Sequence, residues 1–183
     1  MRMQRLPICV SLLVLLVGLG ADQAPSTVHI QGAGITASDW SADQIQTQLA
    51  SDVQSVHYKS KGADHTFSCV PLVSLLKAAG VETSMVMNPK ADPKTKNPQM
   101  RRVLIVSGRD GYTVVFSMAE VMPMVGKRAV WVAFQEDGKP LADSDGPVRL
   151  IVPEDGMPAR GVHEVATIDV EELSAPTTQP TAP

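Results

Sequence analysis

The stretch that decides the fold is HTFSCVPLVSLLKAAG, residues 65–80. Its second half predicts a helix, because apolar residues recur there at i, i+3, i+4 and i+7 and share one face: Leu72, Leu75, Leu76 and Ala79. Pro71 suits the first turn of that helix, and Gly80 is a typical residue to end it. The stretch therefore predicts a buried amphipathic helix with a cysteine, Cys69, at its entry.

Cys69 is the residue of this stretch with the widest range of chemical roles. A thiol just before a helix can be a metal ligand, a nucleophile, a redox switch or a packing residue, and a helix N-terminus favours the thiolate. The other cysteine of the chain, Cys9, lies in an N-terminal segment that the sequence predicts to be removed. We therefore expect Cys69 to have no intramolecular disulfide partner.

The first residues of the chain, 1–20, have the pattern of a secretory signal peptide. Arg2 and Arg5 form a positive segment, an apolar run follows, and Gly18 and Gly20 supply small residues for a cleavage site. The apolar run is shorter than the roughly 20 residues of a transmembrane helix, so membrane attachment is expected only through an uncleaved signal sequence. The sequence predicts a periplasmic or secreted protein.

The charge balance argues against nucleic acid as a partner. The chain has 16 basic and 19 acidic residues, and without residues 1–20 there are 14 basic against 19 acidic, a net charge of −5. Nucleic-acid-binding domains instead carry clustered basic residues. We predict one folded domain over residues 28–172, followed by a disordered Pro- and Thr-rich tail over residues 174–183.

Short helices and strands alternate irregularly along the predicted domain. Capping boxes predict helix starts at Ser41 with Gln44 and at Ser117 with Glu120. Residues 88–102 hold three prolines and five basic residues against one acid, which predicts an exposed loop. Strand patterns occur in VHIQ, VQSVHYKS, VLIVSGRDGYTVVF, AVWVAFQED, GPVRLIVP and VHEVATIDVEEL. Because regular βαβ spacing is missing, the predicted fold class is α+β.

Familiar ligand-binding motifs are weak in this sequence. GAGITA, residues 32–37, formally matches a dinucleotide fingerprint, but the helix cap at Ser41 comes too late and leaves the match in a loop. The four histidines form no HxH or HExxH pair, so local spacing predicts no zinc site. There is also no GxSxG segment to indicate a serine nucleophile.

Arg149 is the residue most informative about a site. It stands within the apolar segment GPVRLIVP, and a charge there must be paired or face a cleft because burying it alone is costly. A structural salt bridge with a nearby acid and an anion-binding role both fit. Arg160 and His163 are spaced i, i+3, which would bring them together on a helical turn to hold an anion or to face solvent.

Three segments, taken in order, resemble one known family. They are FSCVPLVSLLKAAGV, GRDGYTVVFSMAEVMP and EDGKPLADSDGPVRLIVPEDGMPARGVHEVATIDV, and together they resemble the oxidoreductase molybdopterin-binding domain family. This is the sulfite-oxidase-type fold, and the resemblance is greatest to its short, exported, single-domain members. The resemblance covers nearly all of residues 28–172 and implies an α+β domain with a mixed, barrel-like sheet.

The resemblance also implies a set of cofactor-binding residues. In full-length relatives a Cys thiolate binds the metal of a molybdenum–molybdopterin cofactor, and basic residues bind the pterin phosphate. Arg149 matches the arginine of the family's GPxR segment, and Arg160 matches the arginine that follows the strand. His163 stands where relatives usually carry Arg or Lys. Arg149, Arg160 and His163 are therefore the candidate cofactor-binding residues that the resemblance implies.

The sequence departs from the family pattern at the metal ligand. In catalytic relatives the metal-binding cysteine lies in a segment resembling C-x-G-N-R, which should fall around VQSVHYKSKG here, and that stretch contains no cysteine. Cys69 instead stands where relatives carry glycine. No molybdenum ligand is therefore identified, and the resemblance assigns Cys69 the role of a small packing residue.

Three functions remain open from the sequence. The first is a non-catalytic binding or accessory module that keeps the fold and takes a small anionic or pterin ligand. The second is an active periplasmic molybdopterin-dependent oxidoreductase, or a subunit of one, that works with a periplasmic redox partner. The third uses Cys69 as a redox-active thiol. The sequence favours the first over the second because the expected thiolate is missing.

Overall fold

A computed structural model describes residues 26–85, 87–92 and 95–174. The predicted signal peptide and the predicted tail beyond Ser174 lie outside the described residues. In chain order the strands are β1 (Thr27–Gly32), β2 (Ser38–Ser41), β3 (Gln54–Ser60), β4 (Ala63–Pro71), β5 (Arg102–Gly108), β6 (Thr113–Ser117), β7 (Trp131–Glu136), β8 (Lys139–Pro140), β9 (Arg149–Ile151) and β10 (Val165–Glu172). The helices are α1 (Ala42–Gln48), α2 (Leu72–Ala78) and α3 (Met118–Val121), with 3-10 turns at Ala50–Asp52, Pro98–Arg101 and Pro158–Arg160.

The strands form two mixed sheets. The first sheet has the order β2-β1-β10-β5-β6, and the second has the order β3-β4-β7-β8 with β9 also paired to β7. All of these pairs are antiparallel except β1 with β10, which run parallel with His29 opposite Thr167. The predicted α+β class is confirmed, with the sheet curled into a half-barrel.

The main core lies between the inner faces of the two sheets. In β5 the side chains alternate between buried and half-buried, which is the period-2 pattern of a strand with one covered face. The core also takes the buried face of α2, where full burial of each leucine contributes about 1.5–3 kcal/mol. Residues with no exposed surface in this core include Ile30, Leu72, Leu75, Leu76, Leu104, Leu150 and Ile168.

A smaller apolar cluster lies on the opposite face of the second sheet. Within β7, Val132 and Phe134 point into the main core, whereas Ala133 between them belongs to the smaller cluster. The buried members of that cluster are Phe67, Cys69, Ala133, Leu141 and Ile151. Because both faces of the second sheet carry apolar side chains, its strands do not show a clean alternation in the sequence.

The predicted capping box of α1 is confirmed, and the one predicted for α3 is wrong. Ser41 Oγ accepts a hydrogen bond from the Gln44 backbone N–H at 3.1 Å, while Gln44 Oε1 accepts from the Ser41 backbone N–H at 2.8 Å. At α3, Ser117 makes no side-chain capping hydrogen bond. Glu120 instead contacts the guanidinium groups of Arg128 and Arg160, so a tertiary ion pair has replaced the local cap.

Two further predictions are corrected. Cys69 was expected at a helix entry, but it lies in β4, a nine-residue strand that begins at Ala63. The predicted loop 88–102 is not exposed throughout, because Gln99 is 1% exposed, Pro98–Arg101 is a 3-10 helix, and Arg102 begins β5 with 8% exposure. GAGITA lies in a turn between β1 and β2, as predicted. Over the described residues, every helix is too short or too polar to cross a membrane.

Candidate functional site

The side chain of Arg149 is buried beside the smaller apolar cluster. Its guanidinium carbon is 5.5 Å from the centre of the Phe67 ring and 5.8 Å from that of Tyr58, within the range of cation–π contacts. Nη1 of Arg149 donates a hydrogen bond to Ser60 Oγ at 3.1 Å. The side chain is only 5% exposed, so a neighbouring carboxylate is needed to offset the cost of burying the charge.

Asp145 supplies that carboxylate and contacts two further basic side chains. Its Oδ1 is 3.7 Å from Arg149 Nη1 and 2.5 Å from His163 Nδ1, and its Oδ2 accepts from Lys61 Nζ at 2.8 Å. The Asp145 side chain is 3% exposed, whereas those of His163 and Lys61 are 40% and 65% exposed. We call Lys61, Asp145, Arg149 and His163 the Asp145 cluster; it is closed at the carboxylate and open to solvent at the lysine.

Electrostatics keep Asp145 ionised. Burial alone would raise the pKa of its carboxyl group, but the hydrogen bonds from Lys61 and His163 and the charge of Arg149 outweigh burial, so the pKa is lowered. A carboxylate is therefore present at neutral pH in the middle of the three basic side chains. An anion arriving at this cluster would have to compete with the Asp145 carboxylate for the basic side chains.

Arg160 sits in a separate ion-pair network. It binds Asp155 with two hydrogen bonds, Nε to Oδ2 at 2.8 Å and Nη2 to Oδ1 at 2.6 Å, and its Nη1 is 3.0 Å from Glu120 Oε1. Its guanidinium carbon also lies 4.8 Å from the centre of the Phe116 ring. Arg128 approaches the same two carboxylates, at 3.3 Å from Glu120 and 3.4 Å from Asp155. We call Glu120, Arg128, Asp155 and Arg160 the Arg160 cluster.

In this second network the pKa of the carboxyl group is lowered and the pKa of the guanidinium is raised, so both charged forms are favoured. The hydrogen bond from Arg160 lowers the pKa of the Asp155 carboxyl against the opposing effect of burial, and the charges of Arg160 and Arg128 lower it further. The hydrogen bond with Asp155 likewise raises the pKa of Arg160. Two carboxylates therefore hold the guanidinium of Arg160, which has the bidentate geometry of a strong Arg–carboxylate pair.

The structure brings two of the three candidate cofactor-binding residues together. Arg149 and His163 meet at Asp145, while Arg160 lies with Asp155 and Glu120. The prediction that a helical turn joins Arg160 to His163 is wrong. The 3-10 helix ends at Arg160, and Gly161 has extended backbone angles, φ −74° and ψ 130°. Of the two roles predicted for Arg149, a structural salt bridge and anion binding, the structure contains the salt bridge, with Asp145.

The sequence predicts a nearby acid as one possible partner of Arg149 without identifying which acid, and it does not predict the partners of Arg160. Asp145 lies four residues before Arg149 in DSDGPVR, but the neighbouring Asp143 is an equally plausible partner by spacing and is exposed. Lys61 and Ser60 come from the end of β3 and the turn after it, about 90 positions away in sequence from their partners. A pattern read along the chain carries no signal for such contacts.

Cys69 is a fully buried packing residue. It has no exposed surface and contacts the apolar side chains of the smaller cluster. Burial raises the pKa of its thiol to about 12, which is the opposite of the thiolate stabilisation that a helix N-terminus would give. The hypothesis that Cys69 is a redox-active thiol is therefore contradicted. The predicted packing role is confirmed, and Cys69 is buried more deeply than the sequence predicts.

The histidines other than His163 lie in surface pairs. His57 Nδ1 is 3.2 Å from Thr66 Oγ1, and His65 Nδ1 is 2.9 Å from Asp137 Oδ2. The hydrogen bond with Asp137 raises the pKa of His65. Within the described part of the chain, three or more His, Cys, Asp or Glu side chains nowhere gather in an arrangement that could hold a metal ion.

Comparisons with known proteins agree with this fold. The chain matches the crystal structure of the sulfane dehydrogenase SoxCD from Paracoccus pantotrophus with a TM-score of 0.51 and 17% sequence identity. The match covers 79% of this chain and 38% of that one, so this chain spans well under half of its structural neighbour. No curated protein sequence matches it. The family model of the oxidoreductase molybdopterin binding domain matches residues 19–178, and the chain belongs to that family.

Proposed function

We propose that this protein is an exported, non-catalytic member of the molybdopterin-binding domain family, a binding or accessory module of sulfite-oxidase type. The observation that carries the proposal is that all three candidate cofactor-binding residues are already paired with carboxylates. Carboxylates of the chain itself already hold Arg149, His163 and Arg160. Side chains that would bind a pterin phosphate in a cofactor-containing relative are here used within the fold.

The donor set for the metal supports the same proposal. Molybdenum in this family is bound by a thiolate, and Cys69 is the one cysteine that follows the predicted signal peptide. Its thiol is inaccessible and its pKa is raised to about 12, so it is protonated at neutral pH. The residues present do not fit the cofactor, and we derive no catalytic step through it.

One observation favours the alternative, an active molybdopterin-dependent oxidoreductase or a subunit of one that passes electrons to a redox partner. Arg149 Nε and Tyr58 OH are buried, and neither has a hydrogen-bond partner among the described residues. Unpaired buried donors are uncommon and costly, and the oxygens of a bound anion are acceptors of the kind that both lack. The alternative requires this anion to be bound beside Asp145.

Cofactor content distinguishes the two functions. The full chain is expressed with its own N-terminus in a molybdenum-replete bacterial host and purified from the periplasm, next to a sulfite-oxidase-type enzyme prepared in the same way as a loading control. Molybdenum is measured by mass spectrometry, and pterin by fluorescence after oxidation. We expect less than a few hundredths of an equivalent of each in this protein and near-stoichiometric values in the control.

The pterin content of one variant, Asp145→Asn, also tests the proposal. In Asp145→Asn the buried negative charge is removed while the three basic side chains remain. If the carboxylate is what keeps a pterin phosphate away, this variant should hold more pterin than the wild-type chain, still without molybdenum. Stoichiometric molybdenum in the wild-type chain would establish the active alternative and overturn the proposal.

Export is proposed from the N-terminal pattern alone. Residues 1–20 have the features of a cleavable signal peptide. N-terminal sequencing of the purified protein should begin at Ala21. A mature chain that retains residues 1–20, recovered from the cytoplasm, would contradict this part of the proposal.

A further inference from the structure

A cleft lined by residues of both sheets takes no part in either ion-pair cluster. Its volume is about 560 Å³, which lies in the range of small-molecule sites. The helix α1 forms one wall, and the chain from β7 to the start of β9 forms the other.

Apolar side chains form part of the cleft lining, and we call this part its floor. Phe134 and Leu141 are buried, with 4% and 9% exposure, and Pro147 lies beside them. Gly146 is required here, because a Cβ at that position would lie only 2.6 Å from Leu141 Cβ. The floor is therefore fixed in position at Gly146 and Leu141, and its buried apolar residues present a narrow surface to the body of a ligand.

The rim of the cleft carries an excess of negative charge. Asp43, Asp143 and Glu164 line it, against a single cation, Arg109. Within the described part of the chain, the Asp143 and Glu164 carboxylates have no hydrogen-bond or ion-pair partner. These two carboxylates differ in that respect from Asp145 and Asp155, which the basic residues of the two clusters already neutralise.

The position of Glu164 is well defined. Its backbone N–H donates to Asp145 O at 3.2 Å, and its carbonyl accepts from Arg109 N–H at 3.1 Å. These hydrogen bonds hold Glu164 at φ 45°, in the left-handed region that residues other than glycine rarely adopt. The backbone is thereby fixed on both sides of a carboxylate that lines the cleft.

We propose that this cleft binds a small organic cation, with a protonated amine at the carboxylate rim and an alkyl or aryl body on the floor. The excess of carboxylates disfavours anions. The apolar floor disfavours a bare metal ion, which needs several converging oxygen ligands, and no such arrangement occurs among the described residues. The ligand class is therefore set by the combination of charge and apolar surface, neither of which is sufficient alone.

A pair of probes that differ only in charge tests the proposal. Hexylammonium and hexanoate are titrated into the full chain, as purified, at equal ionic strength, and backbone amide shifts are followed by NMR. Hexylammonium should shift resonances of α1, of the β7–β8 turn and of residues 141–147, and hexanoate should bind at least fivefold more weakly. Equal or tighter binding of hexanoate, or shifts elsewhere in the molecule, would overturn the proposal.

Charge-matched variants separate site binding from net charge. In Asp143→Asn/Glu164→Gln, two ion pairs to the amine are lost, each contributing about two- to fivefold in affinity, so hexylammonium should bind roughly 4- to 25-fold more weakly. The control, Asp64→Asn/Glu171→Gln, removes the same charge from exposed positions that do not line the cleft and should leave affinity unchanged. Equal weakening in both variants would show non-specific attraction and overturn the proposed site.

Discussion

The Asp145 cluster and the Arg160 cluster are inverse arrangements of the same chemical groups. In the first, a carboxylate with 3% side-chain exposure stands among Lys61, Arg149 and His163. In the second, a guanidinium with 28% exposure stands between Asp155 and Glu120. The first cluster has more basic side chains than carboxylates, whereas the second has two arginines and two carboxylates.

The difference in burial decides what each cluster does for the fold. A buried ion pair is costly to break because the partner that remains is left charged and desolvated. When one member of a partly exposed ion pair is removed, water can solvate the charge that remains, so the loss of stability is smaller. We therefore expect the Asp145 cluster to dominate stability and the Arg160 cluster to contribute a smaller part, although Arg160 has the better hydrogen-bond geometry.

The largest expected effect is at Asp145. In Asp145→Asn the buried Arg149 loses its carboxylate, and the free energy of unfolding should fall by about 3 kcal/mol or more. Urea denaturation measures this loss, with Asp143→Asn as the control. Asp143 is exposed, so its replacement should change stability by about 0.5 kcal/mol or less. A loss at Asp145 no greater than that of the control would break the comparison.

Arg160 should give the next largest effect. Arg160→Ala removes the bidentate pair with Asp155 and the contact with the Phe116 ring, and we expect a loss of about 1–2 kcal/mol. Arg160→Lys keeps the charge without the planar fork and should lose about half as much. Unfolding is again measured in urea, with the exposed Lys127→Ala as control. If Arg160→Ala lowers the free energy of unfolding more than Asp145→Asn does, burial does not determine which cluster contributes more to stability.

Acid should weaken both clusters, over one pH window. The folded-state pKa values of Asp145 and Asp155 are lowered, so each carboxylate contributes stability above its unfolded pKa of about 3.9, and this contribution is lost as the pH falls through the folded value. The stability difference between the wild-type chain and Asp145→Asn or Asp155→Asn should be constant above about pH 5 and shrink below about pH 4. A difference that widens with acid would contradict the assigned pKa directions.

The last prediction concerns stability least and tests whether the smaller apolar cluster encloses Cys69. Both Cys69 and Arg149 are paired with Ala133, from opposite sides of β7. Despite that arrangement the thiol pKa is raised to about 12, so at pH 8 a thiolate fraction on the order of 10⁻⁴ is expected. Iodoacetamide should leave Cys69 unmodified in the native protein and label it in concentrated urea.

A matched variant makes this measurement quantitative. In Cys69→Ala/Ser55→Cys the thiol moves to an exposed position of the neighbouring strand β3. That thiol should react about a thousandfold faster than Cys69 under native conditions. Comparable rates for the two would mean that the region around Cys69 opens readily and that the smaller apolar cluster does not enclose it.

The sequence predicts the parts of this fold that depend on local patterns. The face of α2, the cap of α1 at Ser41 and the family resemblance all rest on residues close together in the chain, and each is confirmed. β4 was missed because its apolar residues face both the main core and the smaller cluster, so that they do not alternate. The cap at Ser117 failed because Glu120 is paired with arginines that are distant in sequence.

The candidate site is less predictable for the same reason. Arg149 and His163 were identified through the family pattern, but what they do depends on Asp145 and Lys61, which come from other segments of the chain. Arg160 was identified by the same pattern and is held by Asp155 and Glu120. Residue type and spacing show that a charge must be paired, and only the fold determines which carboxylate pairs with it.

The parallel pairing of β1 with β10 determines when this domain can fold during synthesis. These two strands lie near opposite ends of the described chain, with His29 opposite Thr167, and they occupy the interior of the first sheet. β10 must therefore emerge from the ribosome before β1 gains its central neighbour. Such long-range strand contacts slow folding. The nascent chain should consequently remain open to chaperones and proteases until its last strand has been made.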